Sequence, residues 1–198
     1  MGDPAVDKNI HWTYRHYLSW PDGERWELID GKTYSMSAAP RQLHQELLWH
    51  LTGIFRDFLK GRSCKGFASP FDVILPRGDE ADEDVDTVVQ PDLVVFCDRS
   101  KLTERGARGA PDLVVEILSP STSKKDQHEK LDLYRRSGVR EYWIFDPGNR
   151  WLCVYRRDPE GQFDEGELRE PLGDYGPMAS TVLEGFAIDP RELFAELD

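Results

Sequence analysis

Apolar residues at Leu43, Leu47, Leu48, Leu51, Ile54, Phe55 and Phe58 recur at helical spacing, with Pro40 before them and Gly61 after them, and predict a long amphipathic helix. Upstream, Arg25 to Ile29 and Thr33 to Met36 flank Asp30-Gly31, the dipeptide best suited to the positive backbone angles of a two-residue hairpin turn. A short helical turn capped by Thr13 is expected before that hairpin, and a strand over Phe71 to Leu75 is expected after the long helix. Two near-repeats dominate the middle of the chain: Pro91-Asp92-Leu93-Val94-Val95-Phe96 and Pro111-Asp112-Leu113-Val114-Val115-Glu116-Ile117-Leu118. Both are too short and too continuously apolar for surface helices, so they read as strands in the middle of a sheet, covered on both faces. Ser123 and Asp126 resemble a capping box for a helix from Lys124 to Ser137, with Gly138 as its left-handed stop. Strands follow over Val139 to Asp146 and Trp151 to Tyr155, then short strands or loops, and a last helix starting near Pro190.

Helices interspersed with strands define an α/β chain of the α+β kind, and 198 residues suit one domain, with a core over about 13–156 and an extension over 158–198. No stretch approaches the roughly 20 apolar residues of a membrane span, and the first residues are polar, so no membrane association and a cytoplasmic location are expected. Cys64, Cys97 and Cys153 show no CxxC spacing, which indicates neither a zinc cluster nor a disulfide framework and fits a reducing compartment. The net charge of −12 argues against binding nucleic acid by overall electrostatics. That charge is uneven: Asp158 to Asp198 holds 12 acidic and 2 basic side chains, which leaves the preceding part nearly neutral. The acidic run from Asp79 to Asp86 reads as a solvated or mobile loop.

If the two apolar strands pair antiparallel, the start of the first lies beside the end of the second, and Asp92 meets Glu116. Glu116 is then a charge among apolar neighbours, which calls for a cation, either a metal or a protein-borne one. Oxygen-only ligation by two carboxylates selects a hard ion such as Mg²⁺ or Mn²⁺, and such a site suits phosphodiester chemistry, with a nearby lysine orienting or deprotonating water. Lys130, on one helix face with Leu133, Tyr134 and Ser137, is the candidate. Simpler roles compete: Asp92 or Asp112 as a turn residue bonded to local backbone, and Glu116 in a buried salt bridge with an arginine or Lys130. Lys124 and Lys125, near the positive end of their helix, together with Arg99, Lys101, Arg105 and Arg108, are candidate phosphate contacts.

Trp26-Glu27-Leu28-Ile29-Asp30-Gly31, Pro91-Asp92-Leu93-Val94, Val115-Glu116-Ile117-Leu118-Ser119-Pro120, Lys130-Leu131 with Tyr134, and Gly138-Val139-Arg140-Glu141-Tyr142-Trp143 occur in an order that resembles the Uma-type family of putative restriction endonucleases, within the PD-(D/E)XK nuclease superfamily. The resemblance spans roughly Thr13 to Arg156. It implies a mixed β-sheet flanked by helices, an Mg²⁺ site made by Asp92, Glu116 and the backbone carbonyl of Ile117, and hydrolysis of DNA, with a homodimer to cut both strands. It further implies a metal or water contact for Glu27 and a phosphate contact or carboxylate support for His44. The chain departs from the superfamily at Leu118, where a lysine is the pattern, so Lys130 would supply that role from the following helix. A catalytically idle domain of this fold, serving in binding or regulation, is the alternative.

Overall fold

The hairpin has the most local cause. In a computed structural model, which describes residues 10–21, 25–36, 41–119 and 128–197, Asp30 and Gly31 both take left-handed backbone angles, φ 54° and 71°. Two successive positive angles are what a two-residue turn between right-twisted strands requires. A Cβ on Gly31 would also fall 2.2 Å from the His11 ring, so glycine is doubly required there.

In chain order the elements are α1 (Tyr14–Tyr17), β1 (Trp26–Ile29), β2 (Lys32–Ser35), α2 (Gln42–Leu59), β3 (Lys65–Ala68), β4 (Asp72–Ile74), β5 (Val88–Val89), β6 (Leu93–Phe96), β7 (Leu102–Thr103), β8 (Gly106–Arg108), β9 (Leu113–Ile117), α3 (Lys130–Ser137), β10 (Glu141–Asp146), β11 (Trp151–Arg156), β12 (Glu167–Arg169), β13 (Met178–Ala179), β14 (Ala187–Ile188) and α4 (Pro190–Ala195). They build two six-stranded mixed sheets, ordered β2-β1-β5-β4-β8-β7 and β12-β11-β10-β9-β6-β3, and a small antiparallel pair, β13-β14. The mixed sheet read from the sequence is the second of these. The first assembles around the hairpin from strands of two or three residues, of which β4 falls within the strand expected over Phe71 to Leu75 and the others are too short to leave a periodic signal.

The strands β6 and β9 are central and buried along their whole length, as their continuous apolar runs require. Successive side chains alternate between faces. Leu93, Val95, Leu113 and Val115 enter a core with Leu47, Leu51 and Phe55 of α2, while Val94, Phe96 and Val114 enter a second core with Leu133 and Tyr134 of α3 and with Ile29, Val73 and Val89 of the hairpin sheet. The strands β9 and β10 pair parallel, so the chain between them crosses over through α3, which ends at Gly138 with φ 93°. The expected Lys124 start and the Ser123/Asp126 capping box lie outside the described residues.

The core does not stop at Arg156. Met178, Leu183, Phe186, Ile188, Leu193 and Phe194 pack into the α2 core, and Glu141 locks this segment down. Glu141 is fully buried and accepts hydrogen bonds from Trp143 Nε1 (3.0 Å), Ser180 Oγ (2.7 Å), Thr181 N (2.5 Å) and Thr181 Oγ1 (2.7 Å). The aromatic residues Tyr142, Trp143 and Phe145 are core, not surface.

One expectation needs correction. Cys64 and Cys97 form a disulfide. They stand directly opposite each other one residue beyond the Lys65–Phe96 pair of β3 and β6, with Cα atoms 3.9 Å apart, a proximity made by sheet register across 33 residues. Spacing along the chain could not reveal it, and it removes the ground for reading these cysteines as free thiols. The acidic run 79–86 is largely exposed, as a solvated loop should be, and ion pairs join it to the hairpin sheet and the loop beside it, Asp82 to Arg108 (2.6 Å) and Asp86 to Arg77 (3.4 Å).

Replacing Glu141 with Leu should lower the unfolding free energy by about 3 kcal/mol or more, because it strands the buried donors of Ser180 and Trp143 and removes the carboxylate that holds Thr181. Urea denaturation measures this, and a loss under about 1 kcal/mol would refute the anchoring role.

Candidate active site

The two Pro-Asp runs are neighbours, with Leu93, Val94 and Val95 registered on Val115, Val114 and Leu113. Carrying that register one step further at each end sets Asp92 opposite Glu116 and Asp112 opposite Phe96. Each aspartate bonds the same way: Asp92 Oδ2 accepts the Ile117 N–H at 2.7 Å, and Asp112 Oδ2 accepts the Cys97 N–H at 2.7 Å. Asp112 is therefore a clamp across the sheet, with Arg140 at 3.1 Å, rather than a local turn residue. Asp92 likewise bonds the opposing strand. The two ends differ in the residue facing the aspartate, the apolar Phe96 at one and Glu116 at the other, so only one end sets a second carboxylate opposite the first.

Glu116 shares its face with Val114 and Leu118, toward α3 and the hairpin sheet, and is 4% exposed. There it meets Lys130, whose ammonium lies 2.6 Å from Glu116 Oε1 and 2.8 Å from Glu27 Oε1. Lys130 is 2% exposed and Glu27 is 0% exposed. Tyr134, one helical turn after Lys130 on the same face, donates its hydroxyl to Glu116 Oε1 at 2.8 Å. Glu27 also accepts the Gln90 N–H at 3.0 Å, which fixes the carboxylate to the backbone just before Pro91-Asp92. One lysine thus joins β1, β9 and α3.

On the other side of Asp92, His44 from the first turn of α2 places Nε2 3.2 Å from Asp92 Oδ2. His44 therefore supports the carboxylate. Tyr34, the cross-strand partner of Glu27, has its phenol pKa pushed up, first by burial and then by its hydrogen bond to Glu129, so it adds no negative charge.

The structure brings Glu27, Glu116 and Lys130 into direct contact and sets Asp92 across the strand pair from Glu116. Ile117 gives its N–H to Asp92, and in an extended strand a residue's carbonyl faces the same neighbour as its N–H, so the Ile117 carbonyl is turned to that side too. Lys124 and Lys125 lie outside the described residues. Leu118 is buried between the sheets and donates its N–H to Phe145, so the ammonium at this site comes from α3 instead. Of the basic residues between the carboxylate strands, Arg99, Lys101 and Arg108 are spent on Ser63 O, Ala110 O and Asp82. Sequence reasoning missed Gln90, because nothing in its neighbourhood along the chain marks it.

The donor set suits a hard divalent cation. Asp92 and Glu116 would offer carboxylate oxygens, and the Ile117 carbonyl would be a third oxygen donor. Among the described residues no group of three or more His, Cys, Asp and Glu side chains could hold a metal by itself. Among the described residues no helix is long and apolar enough to cross a membrane.

Two mixed sheets flanked by helices, with a Pro-Asp strand beside a glutamate strand, define the restriction-endonuclease-like class of fold. The crystal structure of a putative nuclease belonging to DUF820 from Anabaena variabilis superposes with a TM-score of 0.73 at 22% identity, over 94% of this chain and 99% of that one. The family model described as Uma2, putative restriction endonuclease, matches residues 14–191, and the chain belongs to that family. An uncharacterized Synechocystis protein, slr1290, is 25% identical over 150 residues, 74% of this chain and 75% of its own length.

Replacing Lys130 with Met should destabilise the fold by about 3–5 kcal/mol, because it leaves two buried carboxylates without their counter-charge. The triple variant Glu27→Gln, Glu116→Gln, Lys130→Met should recover much of that loss in urea denaturation. A triple variant no more stable than the single one would contradict the electrostatic account.

Proposed function

We propose that the chain is a divalent-cation-dependent endonuclease that hydrolyses DNA phosphodiester bonds, with Asp92, Glu116 and the Ile117 carbonyl as cation ligands and Mg²⁺ or Mn²⁺ as the ion. One observation carries this reading: Glu27 and Glu116 share the one ammonium of Lys130, and Asp92, across the strand pair from Glu116, is a third carboxylate at the same strand end. Counted in their ordinary ionised forms, they leave an excess of negative charge that a doubly positive ion would neutralise. When bound, such an ion supplies charge neutralisation at the scissile phosphate and lowers the pKa of water.

The chain's own groups then divide the work. His44 and the Ile117 N–H hold Asp92 by Oδ2 and so fix the direction of its other oxygen. Tyr134 and Lys130 do the same for Glu116 through Oε1. Lys130, held as an ammonium by the two glutamates, acts on the attacking water by donating a hydrogen bond that orients it. Glu27 acts through Lys130: tied to the Gln90 N–H, it keeps the ammonium at the site, so we assign it a positioning role in preference to metal ligation. Cutting both strands of a duplex takes two such sites, and a symmetric homodimer would provide them.

A catalytically idle domain is the competing reading, favoured by the fact that Lys130 is already engaged by both glutamates. Plasmid nicking separates the two. We expect cleavage in Mg²⁺ or Mn²⁺, none in EDTA, background activity for Asp92→Asn and Glu116→Gln, and a loss of about 10²–10⁴-fold for Lys130→Met. Cleavage that survives both carboxylate changes rules out this site. No cleavage with any divalent ion, from folded protein, favours the idle domain.

A further inference from the structure

Arg25 differs from the arginines around it. Arg15, Arg77, Arg108, Arg136 and Arg140 each meet a carboxylate. Arg25 instead places Nε and Nη2 on one neutral oxygen, Gln90 Oε1, at 3.0 and 2.9 Å, and among the described residues no carboxylate lies within ion-pair distance of it. The orientation of the Gln90 amide follows from its other contacts. Its Nε2 donates to Asp72 Oδ1 at 2.8 Å and to the Tyr17 hydroxyl at 2.9 Å, and Tyr17 in turn donates to Asp72 at 2.9 Å. A carboxylate can only accept, so the NH₂ must face Asp72 and the carbonyl oxygen must face Arg25. Gln90 is 7% exposed, so this is a built support and not a surface encounter.

Gln90 is also the residue whose N–H holds Glu27, and Asp92 follows two residues later. The guanidinium is therefore one residue's span from the carboxylate cluster. Of its five N–H donors, two are fixed on Gln90, which sets the plane of the fork and leaves the rest for an anion. In a chain of net charge −12, a cation held rigidly by a neutral amide beside an acidic site is a local exception.

We infer that Arg25 is a phosphate-binding residue, held by Gln90 to grip the nucleic-acid backbone beside the scissile position. The inference rests on the nuclease reading for its substrate. It adds a contact with a phosphate that does not react, which would offset the repulsion between a polyanion and the acidic cluster.

The test is equilibrium binding of a fluorescent DNA duplex to the full chain in Ca²⁺, across a range of salt concentrations. Each phosphate contact contributes about 0.9 to the slope of log K against log salt. Arg25→Gln, which keeps a hydrogen bond to Gln90 but loses the charge, should reduce the slope by about that amount and weaken binding, with thermal stability close to wild type. Arg25→Lys should keep the slope but bind more weakly, because the fork is lost. An unchanged slope and affinity in a folded Arg25→Gln variant overturns the inference and leaves the nuclease reading intact. A wild-type chain that binds no DNA overturns both.

Discussion

A single buried ammonium holds this molecule's two sheets and its crossover helix in one arrangement. Lys130 bonds Glu27 from the hairpin sheet and Glu116 from the central sheet, and all three are almost fully withdrawn from water. Each charge would be expensive alone. Together, with the Tyr134 hydroxyl and the Gln90 N–H completing the carboxylates' hydrogen bonds, they form a network in which the removal of one member exposes the cost of the others.

That network explains why the site lies at one strand end only. The runs Pro91-Asp92-Leu93-Val94-Val95-Phe96 and Pro111-Asp112-Leu113-Val114-Val115-Glu116 are related by the antiparallel register, and both aspartates clamp the opposing strand in the same manner. At the Asp112 end the facing residue is Phe96, which belongs to the core, and the aspartate is completed by Arg140. At the Asp92 end the facing residue is Glu116, and the surroundings have to supply positive charge. One substitution within a repeated motif separates a structural clamp from a candidate active site.

The remainder of the fold serves to fix this end of the sheet. The α2 helix packs Leu47, Leu51 and Phe55 on one face and delivers His44 to Asp92. The hairpin positions Glu27, and its turn residue Asp30 reaches Arg136 of α3 at 2.5 Å and Arg77 at 2.7 Å. Burial pushes the Asp30 carboxyl pKa upward, but the two guanidinium groups prevail and hold it below its ordinary value, so the turn stays charged and tied to the helix. The C-terminal segment, despite its acidity, closes the α2 core through Phe186 and Phe194 and docks on Glu141.

Much of this was legible in the residues because it depends on neighbours along the chain. Asp30-Gly31 demanded a tight turn, the apolar spacing of α2 demanded a helix, Gly138 demanded a stop, and the runs ending at Phe96 and Ile117 were too apolar to be anything but central strands. Glu116 could be singled out for the same reason, as a charge set among apolar positions, whereas Asp92 and Lys130 stood out by the strand pairing and by the family resemblance. What only the tertiary structure decided is which charges meet. That Glu27 reaches Lys130, that Gln90 fixes both Glu27 and Arg25, that Cys64 faces Cys97, and that the acidic C-terminal segment completes the core all depend on register between elements distant in sequence. The physical reason is range: backbone preferences and periodicity act over a few residues, whereas the pairing of buried charges is settled only when strands dock and water is excluded.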